Sequence, residues 1–270
     1  MTKAWNVLFV GAGRMAEAVI AGLVRENRDV FNQISVTNQS NKEKLQYLQH
    51  TYGIQPVTDW LKAVQQSDMI VLAAPPQAHE QLLQTMKPVL RGQLVITVAA
   101  GIDTDYLEFL LPKGTPACWI MPNTAAQVGM SMSTYSCGAH VTAEHRIYIE
   151  ALLEAVGPSE ELSQQLVHDM TAVTGSAPAF IYYVAEALKD AAVSYGISEE
   201  QALRLVTQML KGSAAMLEAG HDPKDLMEQV ASPGGSTAEG LEVLETYDTA
   251  ARFRQAVEAA NNHAKGGGKS

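Results

Sequence analysis

The chain has 270 residues, of which 47% are hydrophobic and 18% charged, and this composition indicates a globular protein rather than a disordered one. The net charge of −10 argues against nucleic acid and anionic membranes as partners, because both require basic patches. No apolar run reaches the roughly 18 residues of a membrane span, and no signal peptide precedes the first strand, so we expect a cytoplasmic protein without membrane contact.

The first predicted elements are a buried strand, 7–10, and a helix that continues to residue 24, joined by a glycine turn. Gly11 permits a tight turn, Gly13 lets a pyrophosphate approach the backbone, and Ala16 keeps the helix close to the strand. Free N–H groups at the helix start would hold the phosphates. The alternative is a tight turn in another kind of α/β protein. The residues predicted to bind a dinucleotide here are Gly11, Gly13, Arg14, Met15 and Ala16.

The second predicted strand, 33–37, ends at polar residues rather than at a carboxylate. A site that prefers NAD usually places Asp or Glu there, about 20 residues after the glycines. Asn38, Ser40 and Lys42 would instead hydrogen-bond to a 2′-phosphate or balance its charge. This pattern favours NADPH as cofactor, with NADH as the second choice, and the alternative is a solvated strand end without preference.

The first half continues as alternating strands and helices, which predicts a doubly wound parallel sheet. Further strands are expected at 67–73, 94–98 and 117–121, and helices at 42–51, 78–89 and 143–156. Ligands bind at the carboxyl ends of such strands, so we expect the cofactor to contact Ala73, Ala74, Pro75 and Pro76. Asn123 is a candidate for ordering the nicotinamide, although an Asx turn is the commoner role of Asn beside Pro.

The second half shows only helical periods from residue 164 onward. Helices are predicted at 177–194, 199–219, 223–230, 238–244 and 252–262, followed by a flexible tail from Lys265. The helix 177–194 is apolar on most faces, which is typical of burial, often against a partner subunit. We therefore predict a Rossmann-like domain, 1–160, and an all-helical domain for substrate binding and dimerisation, 161–270.

The loop Ser232–Thr237 is the most unusual part of the helical half. Pro-Gly-Gly between Ser and Thr, directly before a helix, would expose several N–H groups that suit a carboxylate or phosphate. The alternative is a plain turn between helices, with Thr237 as N-cap.

At these residues the chain resembles the pyrroline-5-carboxylate reductase family. The segment Asp225–Glu245 is similar to that family's signature, and matching motifs occur in the same order, namely 11–16, 98–101, 121–124 and 171–180. The resemblance covers about Asn6 to Asn261.

The resemblance implies reduction of 1-pyrroline-5-carboxylate to proline by NAD(P)H, in a homodimer that can assemble further. It places the substrate carboxylate on the N–H groups of the loop at 232–237 and the Thr237 hydroxyl, as the catalytic group, near the imine nitrogen. The residues it assigns to the substrate are Ser232, Gly234, Gly235, Ser236, Thr237, Thr171 and Ser176. An imine can be protonated near neutral pH, so no strong general acid is required and the protein's task is mostly positioning. This agrees with the fact that no His, Asp or Glu stands out as a catalyst.

The chain departs from the family pattern at Pro75, Trp119, Ala177 and Ala125, where Lys, Arg, Gly and Pro are usual. Losing two cations would weaken cofactor binding or alter supporting contacts. These departures keep two alternatives open: a reductase of another imine or keto substrate, and a non-catalytic nucleotide-binding paralogue.

Two further residue types carry no predicted site. Cys118 and Cys137 lack the spacing of a CxxC pair or a zinc site, and we interpret them as buried thiols of a reduced compartment. His140 and His145 lack a third ligand at useful spacing, so no metal is expected.

Overall fold

The computed structural model describes residues 3–26 and 30–266. Numbered along the chain, the strands are β1 (Trp5–Val10), β2 (Phe31–Thr37), β3 (Gln55–Pro56), β4 (Met69–Leu72), β5 (Leu94–Thr97), β6 (Ala117–Met121), β7 (Ser133–Cys137) and β8 (Ser159–Glu161). The α-helices that accompany the sheet are α1 (Arg14–Arg25), α2 (Lys42–Tyr52), α3 (Trp60–Gln66), α4 (His79–Met86), α5 (Thr104–Leu110), α6 (Ala143–Glu154) and α7 (Gln164–Met170). The later α-helices are α8 (Ala177–Ser194), α9 (Glu199–Glu218), α10 (Pro223–Val230), α11 (Ser236–Thr246) and α12 (Thr249–Gly266).

All eight strands form one sheet, in the order β3-β2-β1-β4-β5-β6-β7-β8. The strands from β3 to β6 are parallel, whereas β7 is antiparallel to β6 and carries β8 in parallel beside it. The chain order reverses between β1 and β4, which is the switch point where open α/β sheets bind ligands. The loops after these two strands are therefore the natural place for a cofactor.

Both faces of the sheet are covered by a hydrophobic core, because neighbouring residues of a strand point to opposite faces. In β1, Val7 and Phe9 belong to one core, and Leu8 and Val10 to the other. A strand buried on both faces reads as a continuous apolar run, which is why its sequence shows no alternation.

The chain forms two compact units, one of residues up to Ser176 together with those from Ala260, and the other of Ala177–Ala259. The predicted class, a Rossmann-like sheet followed by a helical domain, is confirmed. The functional division at residue 160 stays a prediction. Among the described residues, no helix is both long and apolar enough to cross a membrane.

Several predicted elements need correction. The short elements β3 and α3 were not predicted, and β7 gives the sheet an antiparallel pair. The flexible tail was predicted to begin at Lys265, but α12 continues to Gly266; residues 267–270 lie outside the described part of the chain.

Candidate functional site

The glycine turn between β1 and α1 brings two strand ends into close approach. Gly11 has a φ of +110°, and a Cβ there would lie 2.7 Å from the carbonyl oxygen of Ala73, in the loop after β4. Gly13 is the N-cap of α1, has no side-chain cap, and faces open space, since a Cβ there would meet nothing within 4 Å. The first N–H groups of α1 are thus without the capping partner that a side chain usually provides. This turn fits a pyrophosphate.

The end of β2 lies beside this turn, because the Gly11 N–H donates to the Thr37 carbonyl at 2.9 Å. Asn38 donates weakly to the Asn41 carbonyl at 3.3 Å, while Ser40 and Lys42 are exposed. The position of Asn38, Ser40 and Lys42 suits a 2′-phosphate, and their contact with one stays a prediction.

An ion pair that the sequence pattern does not predict also shapes this region. Lys44 Nζ lies 2.5 Å from Glu17 Oε2, and both side chains are largely buried. Glu17 is in the first turn of α1, where its charge would otherwise repel an anion at the glycine turn. Glu17 lies close in sequence to the predicted phosphate site, and this proximity is a signal that a cation must neutralise its charge.

A chain of hydrogen bonds links the loops that follow β4 and β5. His79 is fully buried, with Nδ1 3.1 Å from the Pro75 carbonyl and Nε2 2.9 Å from the Thr97 hydroxyl. A carbonyl only accepts, so Nδ1 carries the proton and Nε2 accepts from Thr97, whose oxygen accepts from the Ala99 N–H at 3.2 Å. Burial lowers the pKa of His79 and favours the neutral ring that this pattern requires.

Trp119, where the family pattern has arginine, extends the same chain of bonds. Its indole Nε1 donates to the Ala99 carbonyl at 2.9 Å, and its ring is fully buried, 4.5 Å from the ring of His168. His168 in turn bonds to Asp103 at 2.9 Å. With Trp119 in place of arginine, the sequence predicts either weaker cofactor binding or altered supporting contacts. The hydrogen bond and ring contact of Trp119 favour altered supporting contacts.

Asn123, just after β6, forms an Asx turn, which is the commoner role of Asn beside Pro. Its Oδ1 accepts from the Ala125 N–H at 2.9 Å. Its Nδ2 donates to the Thr174 carbonyl at 3.0 Å. Any contact with the nicotinamide has to share this amide, and stays a prediction.

Thr171 and Ser176 are the first and last residues of a π segment, Thr171–Ser176, between α7 and α8. The Thr171 hydroxyl is buried and donates to the Val167 carbonyl at 2.8 Å. Ser176 is half-buried. Their predicted contact with substrate stays a prediction.

The loop Ser232–Thr237, in the helical unit, resembles the glycine turn, because a glycine again lies at the start of a helix. Gly234 has a φ of +71°, and the Gly235 N–H donates to the Ser232 carbonyl at 2.9 Å. Gly235, and not Thr237, is the N-cap of α11, so the alternative with Thr237 as N-cap is wrong. No side chain caps α11, and Thr237 is its second residue, half-buried.

Among the helices whose N-cap the structure describes, α1 and α11 begin at a glycine without a side-chain cap; α4 also lacks a side-chain cap, but its N-cap is Ala78. Side chains cap α2, α3, α5, α6, α7, α9 and α10, through Asn41, Asp59, Asp103, Thr142, Ser163, Ser198 and Asp222. The two glycine-capped helix starts coincide with the two loops predicted to hold anions. Each could therefore accept an anionic group of a ligand in place of a cap.

The comparisons with known proteins agree with this arrangement. Residues 164–266 match the family model described as "Pyrroline-5-carboxylate reductase dimerisation", and residues 6–101 match "NADP oxidoreductase coenzyme F420-dependent". Pyrroline-5-carboxylate reductase 2 of Bacillus subtilis is 33% identical to this chain, and the match covers 92% of this chain and 88% of the Bacillus protein.

Two solved structures are similar over nearly their whole length. The Plasmodium falciparum pyrroline carboxylate reductase with NADP bound has a TM-score of 0.90 at 28% identity, covering 100% of both chains. The Streptococcus pyogenes 1-pyrroline-5-carboxylate reductase has a TM-score of 0.88 at 30% identity, covering 97% of this chain and 98% of that one. The resemblance found in the sequence is confirmed: this chain belongs to the pyrroline-5-carboxylate reductase family.

Proposed function

We propose that this protein reduces 1-pyrroline-5-carboxylate to L-proline with NAD(P)H, the last step of proline biosynthesis. The relatives that carry this name support the assignment, and so does the NADP bound in the Plasmodium falciparum structure. Its main structural support is the pair of glycine-capped helix starts, at Gly13 and Gly235. One suits the cofactor's pyrophosphate and the other the substrate's carboxylate.

The reaction adds a hydride to the imine carbon and leaves a proton on the nitrogen, so that C=N becomes CH–NH. NAD(P)H supplies the hydride when bound. The first N–H groups of α1 would hold the pyrophosphate, and those at the start of α11 would hold the substrate carboxylate. The Thr237 hydroxyl oxygen would then accept a hydrogen bond from the protonated nitrogen of the imine. Because the imine already carries a proton near neutral pH, fixing its position and excluding other orientations is the protein's main task.

We infer a preference for NADPH over NADH. Its support is that residues 38–42, directly after β2, contain no carboxylate and hold Asn38, Ser40 and Lys42 instead. Lys44 is engaged with Glu17, which makes Lys42 the cation available for a 2′-phosphate in this segment.

The chain acts as a homodimer through its helical half, which matches the dimerisation model of the family. In the single chain α8 has no buried residue, although most of its residues are apolar. Tyr183, for example, is 78% exposed. Assembly beyond the dimer is a further proposal.

We place the protein in the cytoplasm. Cys118 and Cys137 lie opposite each other on β6 and β7 and are both free thiols. Directly opposed cysteines of an antiparallel pair are close enough for a disulfide, so a reducing compartment suits them.

A steady-state assay of purified protein with pyrroline-5-carboxylate, comparing NADPH with NADH, tests the function. We expect turnover with a lower KM for NADPH. A lower KM for NADH would refute the cofactor preference alone. Absence of turnover with either cofactor would refute the function, and a panel of cyclic imines would then identify another substrate.

Thr237→Ala tests the catalytic assignment. Removing the hydroxyl should lower kcat about tenfold or more, because a hydrogen bond to a charged group contributes about 1.5 kcal/mol or more, while the Kd for NADPH stays close to that of wild type. Thr246→Ala is the matched control, because Thr246 is exposed at the other end of α11. Unchanged kcat in Thr237→Ala would remove Thr237 from the mechanism.

A further inference from the structure

The π segment interrupts an otherwise continuous helical run from α7 to α8. A π segment is rare, and it is often found at functional sites. Where the hydrogen-bond ladder changes from i→i+4 to i→i+5, main-chain groups lose their regular helical partners. Buried groups of this kind need another partner.

Asn261, on α12, bonds to two main-chain groups at this transition. Its Oδ1 accepts from the Ala172 N–H at 3.0 Å, and its Nδ2 donates to the Asp169 carbonyl at 2.8 Å. Ala172 is 1% exposed, so its N–H cannot turn to water instead. A carboxamide carries a donor and an acceptor on one carbon, and here each lies against its complement.

The segment held in this way connects to the region proposed to bind ligands. Thr171 and Ser176 form its two ends, and the Thr174 carbonyl accepts from Asn123 Nδ2. A shift of the π segment along the helix would therefore move two candidate substrate contacts and the partner of Asn123 together.

We propose that Asn261 is a positioning residue for the reduction, because it holds the π segment in the register that presents Thr171 and Ser176 to the substrate. This role rests on the proposed function. Asn261 touches neither reactant; it acts through the main chain of residues 169–172.

Asn261→Asp and Asn261→Leu test the role. Asp keeps the shape and the acceptor, but it replaces the donor facing the Asp169 carbonyl with an oxygen. Leu withdraws both bonds at similar volume. Asn262→Asp is the matched control, since Asn262 is the exposed neighbour and the charge change is the same. The measurements are kcat, the KM for pyrroline-5-carboxylate, the KM for NADPH, and Tm.

Both Asn261 variants should lose about tenfold or more in kcat/KM for pyrroline-5-carboxylate, because small displacements of positioning groups are costly. Their KM for NADPH and the kinetics of Asn262→Asp should stay close to wild type. If either variant fails to fold, Asn261→Ala withdraws both bonds with a smaller side chain, and the same result is expected.

The outcomes separate the two proposals. A lower Tm with unchanged kcat/KM would show that Asn261 is only structural and would overturn its positioning role. An equal rise of both KM values would also overturn it, because the segment would then not act on the substrate in particular. Absence of turnover in wild type would instead refute the proposed function, and with it any role of Asn261 in that reaction.

Discussion

At the scale of the residue, individual side chains join the loops at the carboxyl ends of the strands, and the donor and acceptor of each of their hydrogen bonds can be assigned. His79 and Trp119 connect the loop after β4 to the loop after β5 and to β6. This chain of bonds lies where the family pattern has two cations, at positions 75 and 119. Pro75 and Trp119 each contribute a group to this chain of bonds, namely the Pro75 carbonyl and the Trp119 indole N–H.

The neutral ring of His79 makes stability depend on pH. Burial keeps its folded-state pKa below the ordinary value of 6.5, so in the window below 6.5 the unfolded chain binds a proton that the folded protein does not. The free energy of unfolding should therefore fall as the pH falls through this window, and the His79 contribution should be constant above about pH 7.5, where both states are neutral.

Thermal unfolding of wild type and His79→Gln between pH 5 and 8 measures this contribution. The fall in Tm on acidification should be smaller in His79→Gln, because its side chain does not titrate. His140→Gln is the control, since His140 is exposed. Parallel Tm curves for wild type and His79→Gln would show that His79 titrates alike in both states.

At the scale of the element, the turn between β1 and α1 uses its two glycines for different purposes. Gly11→Ala should lower stability by more than about 2 kcal/mol, because a Cβ would both strain a positive φ and meet the Ala73 carbonyl at 2.7 Å. Gly13→Ala has no such conflict and meets only the weaker preference for Ala at an N-cap, so it should lose less stability than Gly11→Ala and raise the Kd for NADPH, on the order of tenfold.

Denaturant unfolding together with NADPH titration separates the two effects. The Gly13→Ala variant serves as the control for Gly11→Ala, because both add one methyl group to the same turn. Equal losses of stability in the two variants would contradict the distinction. Unchanged affinity in Gly13→Ala would remove Gly13 from the pyrophosphate site.

The elements that could be predicted are those whose signal is local. The strand β1, the glycine turn and α8 follow from periodicity and from glycines within one segment. In contrast, β3 has two residues, one of them Pro56, and α3 has seven, so neither is long enough to show a period. The direction of β7 cannot be read from periodicity, because parallel and antiparallel strands share a period of two. The last turns of α12 are polar, and their partners lie on a distant segment.

The same distinction between local and distant signals applies to the candidate site. Both glycine-capped loops were found from sequence, because the residues of each are contiguous. The supporting pairs join residues far apart in the chain: Lys44 with Glu17 across 27 positions, Thr97 with His79 across 18, and Asn261 with Ala172 across 89. Only the fold brings them together, so a single sequence carries no direct signal for them.

At the scale of the whole molecule, the helical unit exposes more apolar surface than a lone chain should tolerate. Ile181 on α8 is 48% exposed, and Leu205 on α9 is 63% exposed. Large exposed apolar patches mark interaction surfaces. We expect the dimer assigned to this half of the chain to cover them.

Ile181→Asp should weaken the dimer, because a carboxylate would replace an apolar side chain in the interface. Ile147→Asp is the matched control, since Ile147 is 40% exposed but lies on α6 in the sheet-bearing unit. Sedimentation over a range of concentrations should give a dissociation constant at least about tenfold higher for Ile181→Asp alone. Equal dissociation constants for the two variants would place Ile181 outside the interface.

The division of the chain between the two units has a consequence for protein engineering. The helical unit is one uninterrupted stretch, Ala177–Ala259. The other unit contains the segments that precede and follow this stretch. A chimaera with a relative therefore needs only two junctions, one after Ser176 and one before Ala260. Trimming from the carboxyl end behaves differently: a deletion that reaches Asn261 removes a hydrogen-bond partner of Ala172 and Asp169, and so disturbs the sheet-bearing unit before it removes any of the helical insert.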